Sequence, residues 1–84
     1  MSARTRLIDL YIKVRQYDKL AWSAFEKADR HRFSEIRDRE LKKLREQLDR
    51  ISREDFIHST RGAPERRRAV KTWDEMVERA RRQD

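Results

Sequence analysis

The sequence predicts an all-α protein, built from a long antiparallel helical hairpin and a shorter third helix that complete a three-helix bundle. The 84 residues contain one glycine and one proline, so the two strongest breakers of regular structure are nearly absent. The two lie together, at Gly62 and Pro64, and on both sides of them apolar residues recur at helical spacing. Nothing in the sequence has the alternating pattern of a strand. We therefore expect a single helical domain over residues 1–84.

The first helix is predicted from about residue 4 to about residue 29. Its apolar residues alternate at spacings of three and four, which forms a heptad-like stripe. The stripe consists of Leu7, Leu10, Val14, Tyr17, Ala21, Ala24 and Ala28. It is widened by Ile8, Tyr11, Ile12, Trp22 and Phe25, of which Trp22 lies toward the edge. A face this wide has to pack against more than one neighbour.

The second helix is predicted from about residue 33 to about residue 57, after a turn at 28–34. Its stripe consists of Ile36, Leu41, Leu44, Leu48 and Ile51. At about 100° per residue, this stripe points more than about 90° away from the stripe of the first helix. A hairpin lets both stripes share one core, whereas the alternative, one long helix over residues 4–57, separates them. Ser52 to Asp55 has the spacing of a capping box, so the helix either restarts there or continues to Ile57.

The third helix is predicted from Pro64 to about Arg81, after a loop at residues 58–63. Proline is favoured at the first position of a helix because the missing amide hydrogen would have no partner there. The apolar face of this helix consists of Ala69, Val70, Trp73, Met76, Val77 and Ala80.

The composition limits the stability of a single copy. Charged residues make up 46% of the chain and hydrophobic residues 36%. A chain of this length buries only about 60% of its unfolded surface. We therefore expect a homodimer, and the alternative is a mobile monomer that orders on binding.

Several classes of protein are disfavoured by the sequence. The chain has no cysteine and no stretch near the roughly 20 apolar residues of a membrane span. Two histidines far apart in sequence, with His31 and Glu35 as half a site at best, do not predict a metal centre. The nearest approach to a catalytic set is His58-Ser59-Thr60, where adjacent residues do not face one another as a triad requires. We expect a cytoplasmic protein that is not an enzyme and takes no cofactor, metal or small-molecule substrate.

The net charge of +7 indicates an anionic partner. Both ends of the chain are basic, while residues 34–60 are balanced. The densest cluster opens the third helix, where a helix N-terminus also favours anions. In a hairpin, the start of the first helix lies at the same end. The predicted anion or nucleic-acid site consists of Arg4, Arg6, Arg61, Arg66, Arg67, Arg68 and Lys71. The alternatives are a solvated charged face and the arginine bias of a GC-rich genome.

Two functions are consistent with these features. The first is a regulator that contacts nucleic-acid phosphates without strong base specificity, since no recognition motif is present. The second is a stoichiometric inhibitor or adaptor of the phage or mobile-element type, which presents a helical face to a nucleic-acid-handling protein. The predicted protein interface consists of Leu7, Tyr11, Val14, Trp22 and Phe25.

Overall fold

The computed structural model describes residues 2–60 and 62–82, with Ala63 described by its backbone alone. Within these ranges the chain forms four helices and no strand. They are α1 (Ala3–Ser23), α2 (Lys27–Leu48), α3 (Arg53–His58) and α4 (Ala63–Arg81). The predicted all-α class is confirmed.

The first two helices form the closely packed hairpin that the stripes predict. Ser2 caps α1, because its side chain accepts a hydrogen bond from the amide of Thr5. The helix ends at Ser23, earlier than the predicted end near residue 29, because Ala24 is extended. The polar residues 29–32, predicted as the turn, instead lie in the first two turns of α2, where residues 30–32 are exposed. Polar residues suit a solvated helix as well as a loop, so their polarity alone did not locate the turn.

The predicted second helix is divided in two. α2 ends at Leu48, and Ser52 caps the new helix α3 by accepting a hydrogen bond from the amide of Asp55 at 3.1 Å. Of the two alternatives at this point, the restart is therefore confirmed, and a continuous helix to Ile57 is not observed.

The residue before α4 is a glycine, and its backbone conformation is one that other residues rarely adopt. Gly62 has φ 85° and ψ 145°, a region that residues with a Cβ atom rarely adopt. Pro64 follows in the first turn, where the sequence places it. The helix ends at Arg81, as predicted, and packs against both α2 and α3.

One core joins the four helices. Its buried residues are Leu7, Leu10, Tyr11, Val14, Leu41, Leu44, Phe56, Ala69, Trp73 and Met76. Phe56 is fully buried, and its ring centroid lies 5.4 Å from that of Trp73. The short helix α3 therefore supplies a central aromatic residue of the core.

Three residues of the predicted protein interface belong to this core instead. Leu7 and Val14 have no exposed surface, and Tyr11 is buried with its hydroxyl donating to Glu75 Oε2 at 3.4 Å. The wide stripe of α1 is covered within one chain, where α1 packs closely against α2 and joins the common core, so these residues are not available to a partner. Trp22 and Phe25, in contrast, are 85% and 97% exposed.

Candidate functional site

Thr60 joins two of the predicted site residues at one end of the bundle. Arg4 Nε donates to Thr60 Oγ1 at 3.2 Å, and Arg66 Nε donates to the Thr60 carbonyl at 3.3 Å. Thr60 itself is 5% exposed. These bonds connect the start of α1, the end of α3 and the start of α4. The structure therefore brings Arg4 together with the arginine cluster of α4.

Arg4 is held further by an aromatic ring. Its guanidinium carbon lies 5.5 Å from the centroid of Phe56, within the range of a cation–π interaction. Arg4 and Arg68 line a shallow cleft of about 170 Å³ together with Glu65 and Thr72. Arg68 thus lies on the same side of the molecule as Arg4.

Arg67 and Lys71 point into solvent. They are four residues apart, so they share one face of α4, and both are exposed. Within the described residues, Arg67, Arg68 and Lys71 make neither a hydrogen bond nor an ion pair to another side chain. None of these three cations therefore has a fixed carboxylate partner among the described residues.

Two predicted residues do not join this group. Arg6 follows Arg4 by two positions in α1, which rotates it by about 200° around the helix axis, so it lies on a different side of α1. Arg61 lies outside the described residues. The remaining set, named the α4 basic cluster here, consists of Arg4, Arg66, Arg67, Arg68 and Lys71.

A buried ionic network at the other end of α4 has no counterpart in the sequence predictions. Arg79, which is 7% exposed, donates to Asp18 through Nε at 2.8 Å and Nη2 at 2.9 Å. Arg37 Nη1 donates to the same carboxylate at 3.2 Å. Burial alone would raise the pKa of Asp18, but the hydrogen bonds and charges of Arg79 and Arg37 outweigh it and lower that pKa.

Two open grooves meet at Trp22, in the last turn of α1. One, of about 460 Å³, lies between α1 and α4 and is lined by Tyr11, Arg15, Asp18, Lys19, Trp22, Glu75, Glu78, Arg79 and Arg82. The other, of about 670 Å³, is lined by Asp18, Ala21, Trp22, Arg30, Ser34, Arg37 and Arg82. The indole therefore stands between two recesses whose rims are rich in arginine. Its place at the edge of the α1 stripe was the one sequence signal for this exposure.

The residues considered for catalysis or metal binding have local structural roles. Ser59 Oγ and Thr60 Oγ1 both donate to the carbonyl of Phe56, at 2.7 and 3.4 Å, and so satisfy the end of α3. His31 and Glu35 form an exposed pair at 3.1 Å on α2. Within residues 2–60 and 62–82, no three histidine, cysteine or acidic residues gather as metal ligands would.

Over the described residues, no helix has an apolar stretch long enough to cross a lipid bilayer. Comparison of the chain with protein-family models, with curated proteins and with solved structures gives no match in any of the three.

Proposed function

We propose that the protein is a non-catalytic binding module that contacts nucleic-acid phosphates through the α4 basic cluster. The observation that carries this proposal is the exposure of three cations without carboxylate partners: Arg67, Arg68 and Lys71. All three are exposed, and among the described residues none is paired with a carboxylate. They stand next to Arg4 and Arg66, which their bonds to Thr60 already hold in place.

The electrostatics of α4 favour an anionic ligand. The N-terminus of a helix carries a partial positive charge, which disfavours basic side chains in the first turns. The first turn of α4 has one acidic residue, Glu65, and three consecutive arginines follow it over the first and second turns. A bound phosphate would turn this repulsion into attraction, and arginine can donate two parallel hydrogen bonds to its oxygens.

The placement of the cluster favours a polymer over a single small anion. Successive residues of a helix are about 100° apart, so Arg66, Arg67 and Arg68 radiate from the axis rather than converge on one point. A small anion needs convergent donors, whereas a nucleic-acid backbone offers phosphates at several points along a surface. Contacts of this kind give affinity without base specificity.

A second candidate function is a stoichiometric protein-binding module. The exposure of Trp22 and Phe25 favours it, because large exposed apolar side chains mark protein contacts and tryptophan is common at the centre of interfaces. The charge of +7 would then match an acidic surface of a nucleic-acid-handling protein.

The proposal is tested with two double variants of equal charge. Arg67→Gln with Lys71→Gln removes two cations from the cluster, and Arg39→Gln with Lys42→Gln removes two from the charge-balanced middle of the chain. Both lower the formal net charge of +7 by two. Binding to mixed DNA and RNA at low salt should weaken about tenfold in the first variant and change little in the second. Absence of any binding by the wild-type protein at low salt contradicts the proposal.

A further inference from the structure

We infer that the nucleic acid is single-stranded, with one unpaired base stacked on the indole of Trp22 and the flanking phosphates held by the basic rims of the two grooves. This inference rests on the proposed function and names its substrate class. It concerns the end of the molecule opposite the α4 basic cluster, where the sequence predicted a protein interface that includes Trp22 but no nucleic-acid site.

The first step is the accessibility of the ring. Trp22 is 85% exposed although it belongs to the last turn of a well-packed helix. Trp22 lines both grooves, one on each side of its ring, so the ring is open to solvent in two directions. Single-stranded nucleic acids are bound by stacking bases on exposed aromatic rings beside a basic surface that follows the backbone.

The second step is the charge around the ring. Arg15 and Lys19 line one groove, Arg30 lines the other, and Arg82 lines both. All four are exposed. The cations thus lie on both sides of the indole, where phosphates before and after a stacked base would pass.

The carboxylates in the same grooves are largely engaged with protein groups. Asp18 accepts hydrogen bonds from Arg79 and Arg37, and Glu75 accepts one from the Tyr11 hydroxyl. Of the acidic residues that line the grooves, Glu78 is exposed to solvent. Six basic and three acidic residues line the two grooves among the described residues, so the net charge around the indole is positive.

The third step is the choice among occupants. Bases in a duplex are stacked on one another and do not offer a face to an indole, whereas an unpaired base does. A second copy of this chain would bring another charge of +7, with the same basic rims, to the same place. A single strand supplies both the negative charge and the flat ring.

The experiment is a fluorescence-anisotropy titration of a dye-labelled oligothymidylate and of a dye-labelled duplex of the same length. Four proteins are compared: wild type, Trp22→Ala, Trp22→Phe and Phe25→Ala. Phe25 is a matched control, because it is also an exposed aromatic residue but is not among the described residues that line the two grooves. Circular dichroism should show all four folded, since neither side chain belongs to the core.

The single strand should quench the emission of Trp22 and bind the wild type more tightly than the duplex does. Trp22→Ala should weaken single-strand binding about tenfold, Trp22→Phe should retain most of the affinity, and Phe25→Ala should change it less than about twofold. Duplex binding should be the same in all four proteins. Because phosphate contacts remain, the salt dependence of single-strand binding should also be unchanged by Trp22→Ala.

Three outcomes overturn the inference. If the duplex binds at least as tightly as the single strand and Trp22→Ala has no effect, the stacking site is wrong while the proposed function stands. If Trp22→Ala converts a wild-type dimer into a monomer in sedimentation, a second copy covers the ring instead. If the wild type binds neither nucleic acid at low salt, the proposed function itself is wrong, and an acidic protein becomes the partner to test.

Discussion

Arg79 and Asp18, 61 positions apart in the chain, are joined by two hydrogen bonds of 2.8 and 2.9 Å. The contact fastens α4 to α1, and Arg37 extends it to α2 through the same carboxylate. Asp18 also lines both grooves beside Trp22. One carboxylate therefore links three helices and borders the proposed base-stacking site.

The first prediction concerns the removal of that charge. Asp18→Asn leaves two largely buried guanidinium groups without their shared carboxylate, and breaking a buried pair costs about 3 kcal/mol or more. We expect the midpoint of thermal unfolding to fall by about 12 °C or more for a chain of this size. Asp74→Asn is the control, since the Asp74–Arg53 pair is exposed and 4.0 Å long. Equal unfolding midpoints for the two variants would show that the network contributes little.

The second prediction concerns acid stability. The pKa of Asp18 in the folded chain lies below the ordinary value of 3.8, so the folded state favours the ionised carboxylate. The resulting stabilisation is complete above the unfolded pKa and is lost as the pH falls through the folded one. The free energy of unfolding, measured by urea titration, should therefore fall below about pH 4, and less so in Asp18→Asn. Parallel pH profiles for the two proteins would contradict this assignment.

The third prediction concerns the start of α4. Gly62→Ala places a Cβ atom on a backbone with φ 85°, which costs about 1–3 kcal/mol, while alanine reduces the entropy of the unfolded chain by about 0.4–1 kcal/mol. We expect a net loss of about 1–2 kcal/mol in chemical unfolding.

The new Cβ atom would also meet the carboxylate of Glu65, a flexible group that can move aside. The substitution is therefore made in the wild-type and Glu65→Ala backgrounds. A similar loss in both would assign the effect to the backbone, and a loss that disappears with Glu65→Ala would assign it to the side-chain contact instead.

The fourth prediction concerns the homodimer. The stripe of α1 that suggested a second copy is covered within one chain, so a dimer needs other apolar surface. Ile12 and Leu20 are 46% and 40% exposed on the outer side of α1 and provide it. If the dimer forms there, sedimentation should show it dissociating in Leu20→Ser. If the wild type sediments as a monomer at every concentration, the predicted homodimer is wrong.

The parts of the fold that follow from local sequence were predictable. The near absence of glycine and proline gave the helical class, the diverging stripes of residues 4–57 gave the hairpin, and Pro64 gave the start of the last helix. The capping-box spacing at Ser52 predicted a new helix there as one of two alternatives, the other being a helix that continues to Ile57. Each of these signals lies within the segment whose structure it predicts.

The parts that depend on distant neighbours were not predictable. The apolar stripe of α1 indicates that Leu7 and Val14 are buried, but it does not indicate which surface buries them. Both were therefore assigned to a partner rather than to the core of the same chain. The turn at 24–26 is made by residues with no turn preference, and it is fixed by the packing of the two helices. The pairing of Asp18 with Arg79 likewise depends on where α4 lies. In the candidate site, the sequence located the α4 basic cluster, but not the grooves beside Trp22.

The most direct test of the central claim is the salt dependence of nucleic-acid binding, measured for the wild type and for Arg67→Gln with Lys71→Gln. Each phosphate contact adds about −0.7 on a single strand, or about −0.9 on a duplex, to the slope of log K against log salt concentration. The account predicts a steep slope for the wild type that becomes shallower by about one to two in the variant. A wild-type affinity that does not change with salt, or an identical slope in both proteins, would contradict phosphate binding by the α4 basic cluster.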